Sequence, residues 1–140
     1  MNPNQRAIGI DIGGTKTAVG AVDGAGALAA RATFATEAGR GFPRFVERAT
    51  TAINQVLNEA GWSRANLCGI GIGCPGPVDP KRGLINNPYT LEGWDRCDIV
   101  TPLRERFGVP VCLENDADSA VTGEAFVGAA RGCDRVVLLT

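Results

Sequence analysis

Ala7-Ile-Gly-Ile-Asp-Ile-Gly-Gly-Thr-Lys-Thr-Ala-Val-Gly-Ala-Val22 is the stretch that decides the fold. Ile8, Ile10 and Ile12 alternate with Gly9, Asp11 and Gly13, the period of a strand with one buried face. Gly13-Gly14 supplies a turn, and Thr17 to Val22 is a second β-rich run, so the segment reads as a hairpin. Asp11 then stands at the end of a buried strand, followed by a glycine turn that carries Thr15 and Lys16. Glycines allow successive backbone N–H groups to close on an anion. A carboxylate beside such a nest suits a magnesium-nucleotide, because Mg²⁺ keeps several waters and is usually held by one or two carboxylates. A tight hairpin with a solvent-facing acid fits the same residues. Taken alone, the hairpin leaves both readings open.

The chain has 140 residues, enough for one domain with its own core. A net charge of −1 and 44% hydrophobic residues argue against disorder and against an electrostatic grip on nucleic acid. No apolar run approaches the roughly 20 residues of a membrane span, and the N-terminus lacks a signal-peptide pattern. A cytoplasmic protein without a membrane partner is expected. Cys68, Cys74, Cys97, Cys112 and Cys133 form no C-x-x-C pair, and there is no histidine. That argues against a disulfide framework and most zinc sites, and removes histidine-based triads within the chain. All five cysteines are expected to be packing residues.

Further along, Val22 to Gly26 reads as a turn and Ala27 to Thr36 as a third strand of an antiparallel meander. Pro43 opens a helix whose apolar stripe includes Phe45, Val46, Ala49, Ile53, Val56 and Leu57, with Gly61 as the stop. Leu67 to Cys74 is a strand. It runs into Gly71-Ile-Gly-Cys-Pro-Gly76, which imitates the dinucleotide fingerprint, but the prolines at 75, 77 and 80 deny the helix start which that motif requires. A stiff Pro-Gly-Pro loop at a strand end makes a wall for a small-molecule cleft instead. In the loop from Leu84 to Trp94, Asn86 and Asn87 can bond a polyhydroxyl ligand or serve the turn, and Trp94 can pack on a ligand face. A helix from Asp98 or Thr101 to Phe107, a strand from Val109 to Leu113, a helix from Ala117 to Ala130 and a last strand from Arg135 to Thr140 complete the order βββ-α-β-α-β-α-β. Gly123 and Gly128 inside the last helix indicate close packing or a hinge. The class is α/β, a mixed sheet flanked by helices.

Asp116 falls between a strand's C-terminal end and a helix's N-terminal end, where open α/β sheets bind ligands and the helix dipole favours a carboxylate. Such a group can take the proton of an alcohol that attacks phosphorus, with Asn115 orienting the same hydroxyl. Asp116 can equally be an N-cap, and both roles are compatible. Asp118 and Glu124 are expected to face solvent, since the glycine and later glutamate of a calcium loop are missing.

Three segments, Ile8 to Lys16, Gly71 to Asp79 and Phe107 to Glu124, resemble the ROK family of bacterial sugar kinases and sugar-responsive repressors, in that family's order and spacing. The resemblance implies a ribonuclease-H-like, actin-like ATPase domain with a five-stranded type of sheet. It also implies an ATP-dependent transfer of the γ-phosphate to the 6-hydroxyl of a hexose or N-acetylhexosamine. Asp11, Gly13, Gly14, Thr15 and Lys16 match the first phosphate motif, with Asp11 near Mg²⁺. Asp116 matches the catalytic base, Asn115 a sugar contact, and Gly76, Asn86 and Asn87 the walls of the sugar site. Cys74 replaces a commoner small apolar residue, and the loop from Asn86 to Trp94 is longer than the usual version. The family continues with a second glycine-rich turn and a zinc-binding His/Cys segment that this chain does not contain. The 140 residues therefore read as the N-terminal lobe of a longer protein, inactive alone, whose full-length form is expected to be a homodimer. A sugar-sensing regulator that binds without turnover is the alternative; the short segment before the first strand and the presence of Asp116 favour the kinase.

Overall fold

A computed structural model describes residues 4–140; the Met1 end of the segment before the first strand lies outside them. β1 (Arg6–Ile12) and β2 (Lys16–Asp23) form the expected hairpin, and β3 (Leu28–Ala35) extends it. α1 (Phe42–Glu59) follows, begun at a proline in its first turn, and leads to β4 (Leu67–Cys74). β5 (Val78–Asp79), β6 (Leu84–Ile85) and β7 (Cys97–Asp98) make a small antiparallel sheet that the sequence reading did not foresee, because two-residue strands carry no periodicity. α2 (Val100–Phe107) ends at Gly108, whose positive φ of 68° forms the left-handed stop. β8 (Val111–Asn115) and α3 (Asp116–Val127) close the order.

The main sheet runs β3-β2-β1-β4-β8. β1 is antiparallel to β2 and parallel to β4, which is parallel to β8. Alternation along β1 sends Ile8, Ile10 and Ile12 to one face, where Val19, Ile70, Ile72 and Leu113 join Phe45, Ile53 and Val56 of α1 and Leu103 of α2. Each such side chain, fully buried, stabilises the fold by about 1.5–3 kcal/mol. Trp94 is completely buried in this core, with its ring set edge-on to Phe45 and Phe42 at 4.5 and 5.1 Å and its indole N–H donating to Ala38 O at 3.3 Å. It is therefore a core residue, and the ligand-facing role allowed for it falls away.

The opposite face carries α3, which packs on β4 and β8 and has no buried residue. Gly123 has no close neighbour, so the tight packing expected there is absent, and Gly128 is the helix's cap rather than an interior residue. Residues 135–140 form no strand. A run rich in Val and Leu becomes a strand only where a neighbour completes its ladder; among the described residues none does, and Val137 and Leu139 stand exposed. The cysteine expectation holds for Cys74, which is buried, and for Cys97, which packs against the core. Cys68, Cys112 and Cys133 are exposed and Cys97 is half-buried; Cys112 alternates with Leu113 and so points away from the core.

Trp94→Ala should lower the unfolding free energy by about 3–5 kcal/mol, measurable as a reduced urea midpoint.

Candidate active site

Three parallel strands end together. Register sets Asp11 of β1 opposite Gly73 of β4, and Gly73 opposite Glu114 of β8, with Cys74 opposite Asn115 one step on. Neighbouring strands lie about 4.8 Å apart, so Asp11, Gly73 and Glu114 form a row roughly 10 Å wide at the C-terminal rim of the sheet. Asp116 follows as the first residue of α3. A Cβ on Gly73 would meet Ser119 Oγ at 3.2 Å and Asp116 Cα at 3.6 Å, so the bare backbone there lets the first turn of α3 rest on β4. Asp11 and Asp116, more than a hundred residues apart in the chain, thus share one rim. An open trench of about 1070 Å³ runs over this face from those acids, past Ser119 to Phe126.

The Cys74 thiol senses both acids. Burial pushes it up to about 12, and the negative charges of Asp116 and then Asp11 push in the same direction. The thiol is therefore neutral throughout the physiological range.

Asn115, not Asp116, caps α3: its Oδ1 accepts from Ala117 N at 2.9 Å. Asp116 Oδ1 accepts from the same N–H at 2.8 Å, which orients the carboxylate and leaves Oδ2 for another partner. Asn115 Nδ2 lies toward the Pro-Gly-Pro loop, 3.0 Å from where a Cβ on Gly76 would stand. Gly76, Asn115 and Asp116 therefore come together, as the sequence motifs imply.

At the hairpin turn Gly13 N donates to Lys16 O at 3.0 Å. A Cβ on Gly13 would sit 2.7 Å from that oxygen, which only glycine avoids. Thr15 and Lys16 are exposed beyond it. The loop following β6 rises beside the turn, with Thr90 O 3.4 Å from the would-be Cβ of Gly14. Its two asparagines differ. Asn87 is buried, with Nδ2 donating to Pro75 O (3.1 Å) and Thr90 Oγ1 (2.7 Å), and Oδ1 accepting from Tyr89 N and Thr90 N (3.0 Å each). Two donors and two acceptor sites are all engaged, so Asn87 serves the loop and ties it to the Pro-Gly-Pro wall. Asn86 is half-buried, and its Oδ1, itself shut off from solvent, has no partner among the described residues.

Gly73, Glu114 and Ser119 at this rim escaped the sequence reading, as did Thr36, whose hydroxyl donates to Gly13 O at 2.6 Å. Strand register would have been needed to find the first three, and Thr36 lies 23 residues from its partner with no local signal. No three Asp, Glu, Cys or His side chains gather among the described residues to build a metal cage. A lone carboxylate next to a glycine turn is the donor set that suits Mg²⁺ arriving with a phosphate.

A β-meander continued by two parallel strands, with helices on both faces and acids at the rim, defines the actin-like ATPase class of domain, the fold of its structural neighbours. More narrowly, the chain belongs to the ROK family, whose sequence model matches residues 7–140. It is 34% identical over 140 residues to a glucokinase of Thermotoga maritima, covering 99% of this chain and 42% of that protein. Among solved structures it is similar to a ROK hexokinase from Thermus thermophilus (TM-score 0.80, 36% identity, 91% of this chain and 40% of that one). It is also similar to a ROK family glucokinase from Streptomyces griseus in complex with glucose and AMPPNP (TM-score 0.79, 32% identity, 91% and 38%). A ROK family transcriptional regulator shares the fold at 15% identity and a TM-score of 0.72. The chain thus spans about two fifths of the length of the kinases it matches.

In native protein, Cys74 should resist iodoacetamide at pH 8 while Cys68, Cys112 and Cys133 are labelled, read by mass spectrometry. The folded thiol titrates above its unfolded value of 9.0, so its contribution to stability is complete below pH 9 and lost as pH rises toward 12. Stability measured in urea should fall over that window, and Cys74→Ala should flatten the fall.

Proposed function

We propose that this chain is the N-terminal lobe of an ATP-dependent hexose kinase, with Asp116 as the general base. The observation that carries this reading is the shared rim: Asp11 beside the glycine turn, and Asp116 with a carboxylate oxygen free beside Asn115 and Gly76. When bound, ATP supplies the γ-phosphoryl group and Mg²⁺ offsets its charge. Asp11, Gly13, Gly14, Thr15 and Lys16 would hold that pair, the acid toward the cation and the turn's N–H groups toward the phosphates. Asn115 and Asn86 would bond sugar hydroxyls against the Gly76 wall. Asp116 would accept the proton of the 6-hydroxyl as its oxygen attacks phosphorus.

Support also comes from the kinases to which the chain is similar; the regulator's likeness extends to the fold alone. Phosphoryl transfer depends on positioning and on exclusion of water from the cleft. One lobe walls only one side of such a cleft, so this lobe by itself is expected to be inactive.

In the full-length protein, Asp116→Asn should reduce kcat for hexose phosphorylation by about 100- to 10,000-fold, with sugar affinity within a few-fold of wild type. A coupled ADP-release assay and a sugar titration measure the two. Near-normal turnover would remove Asp116 from the base role.

A further inference from the structure

Thr36 stands just past the end of β3 and is wholly buried; because Lys16 pairs with Ala35, it lies directly beside the β1–β2 turn. Its hydroxyl donates to Gly13 O at 2.6 Å, and its backbone N–H donates to Thr15 O at 2.8 Å. Buried Thr17 lies 2.9 Å from the same hydroxyl oxygen. The single proton of Thr36 Oγ1 is already committed to Gly13 O, so Thr17 must be the donor of that second bond. A directed relay results, Thr17 to Thr36 to Gly13.

The direction has a consequence for the turn. In a trans peptide the carbonyl of one residue and the N–H of the next point in opposite senses, and both peptides concerned, Gly13–Gly14 and Thr15–Lys16, are trans. Drawing the Gly13 and Thr15 carbonyls toward Thr36 turns the Gly14 and Lys16 N–H groups away from it. Among the described residues no acceptor takes the Gly14 N–H. Without the hydroxyl, the Gly13–Gly14 peptide is free to rotate and present its carbonyl oxygen where an anion requires a donor.

We propose that Thr36 is a positioning residue for phosphate binding, fixing the orientation of the Gly13–Lys16 turn through its hydroxyl, with Thr17 holding that hydroxyl in place. The proposal rests on the reading of this turn as the nucleotide's phosphate cradle. It gives Thr36 no contact with the nucleotide.

The test compares wild type, Thr36→Ser, Thr36→Ala and Thr36→Val in the full-length protein. Calorimetry gives the Kd for MgADP, and hydrogen exchange gives the protection of residues 13–16. Serine keeps the hydroxyl and should hold the Kd within about twofold of wild type. Alanine and valine leave the Gly13 carbonyl without its partner and should weaken MgADP about tenfold, with faster exchange confined to the turn. If valine does not fold, the serine–alanine pair decides. Equal MgADP affinity in serine and alanine variants overturns the proposal, as does a loss shared by serine, which would mark a general packing defect. A wild-type protein that binds MgADP but phosphorylates no hexose overturns the kinase reading and leaves the ranking of the variants in force. A wild type that binds no MgADP overturns both.

Discussion

Everything at the rim depends on the parallel pairing of β4 with β1 on one side and β8 on the other. Parallel strands in register finish on the same edge, so the residues that follow them emerge side by side however distant they are in sequence. A one-residue slip in either pairing would invert the faces. Asp11 would then face the apolar layer under α1 while Ile8, Ile10 and Ile12 turned outward, and Glu114 would change places with Leu113. The isoleucines enforce the register from the core side, and Gly9, Gly71 and Gly73 leave the other side shallow. Packing on one face thus sets the chemistry at the edge of the other.

A second level of order is polar. Asn87 joins the loop after β6 to Pro75, Asn115 caps α3 and faces Gly76, and Thr36 fastens the hairpin turn to the end of β3. These contacts join segments from five parts of the chain. Buried polar groups with all their bonds made tend to fix a single geometry, because the alternative arrangements leave one of them unpaired. The buried Cys74 thiol, raised by burial and by the charges of Asp116 and Asp11, stays neutral and adds no charge of its own near them.

The hairpin, α1 and β4 were legible in the sequence because each carries a sustained period: alternate isoleucines in β1, three- and four-residue apolar steps in α1, and a bounded run of Ile and Gly in β4. Asp116 was legible through its position between strand and helix. What escaped notice had no period to betray it. β5, β6 and β7 are too short for alternation. The Val-Leu run at 135–140 has the composition of a strand, but pairing is a property of the neighbour, and among the described residues it has none. Asn86 and Asn87 are the same residue type side by side, and only the number of bonds already made separates them. Cys112 reads as apolar in sequence and faces the trench because its parity in β8 differs from that of Leu113.

The loop between Asn87 and Trp94 is anchored at both ends, by four hydrogen bonds at the first and by an aromatic lock at the second. Tyr89, between the anchors, is 84% exposed. Leu91, two residues on, is fully buried in the core, so only the Tyr89 tip can be exchanged without disturbing the sheet or the acids. The loop is thus a fixed strap beside the glycine turn with a single interchangeable tip, so chemistry swapped in at position 89 would sit next to the turn without moving it.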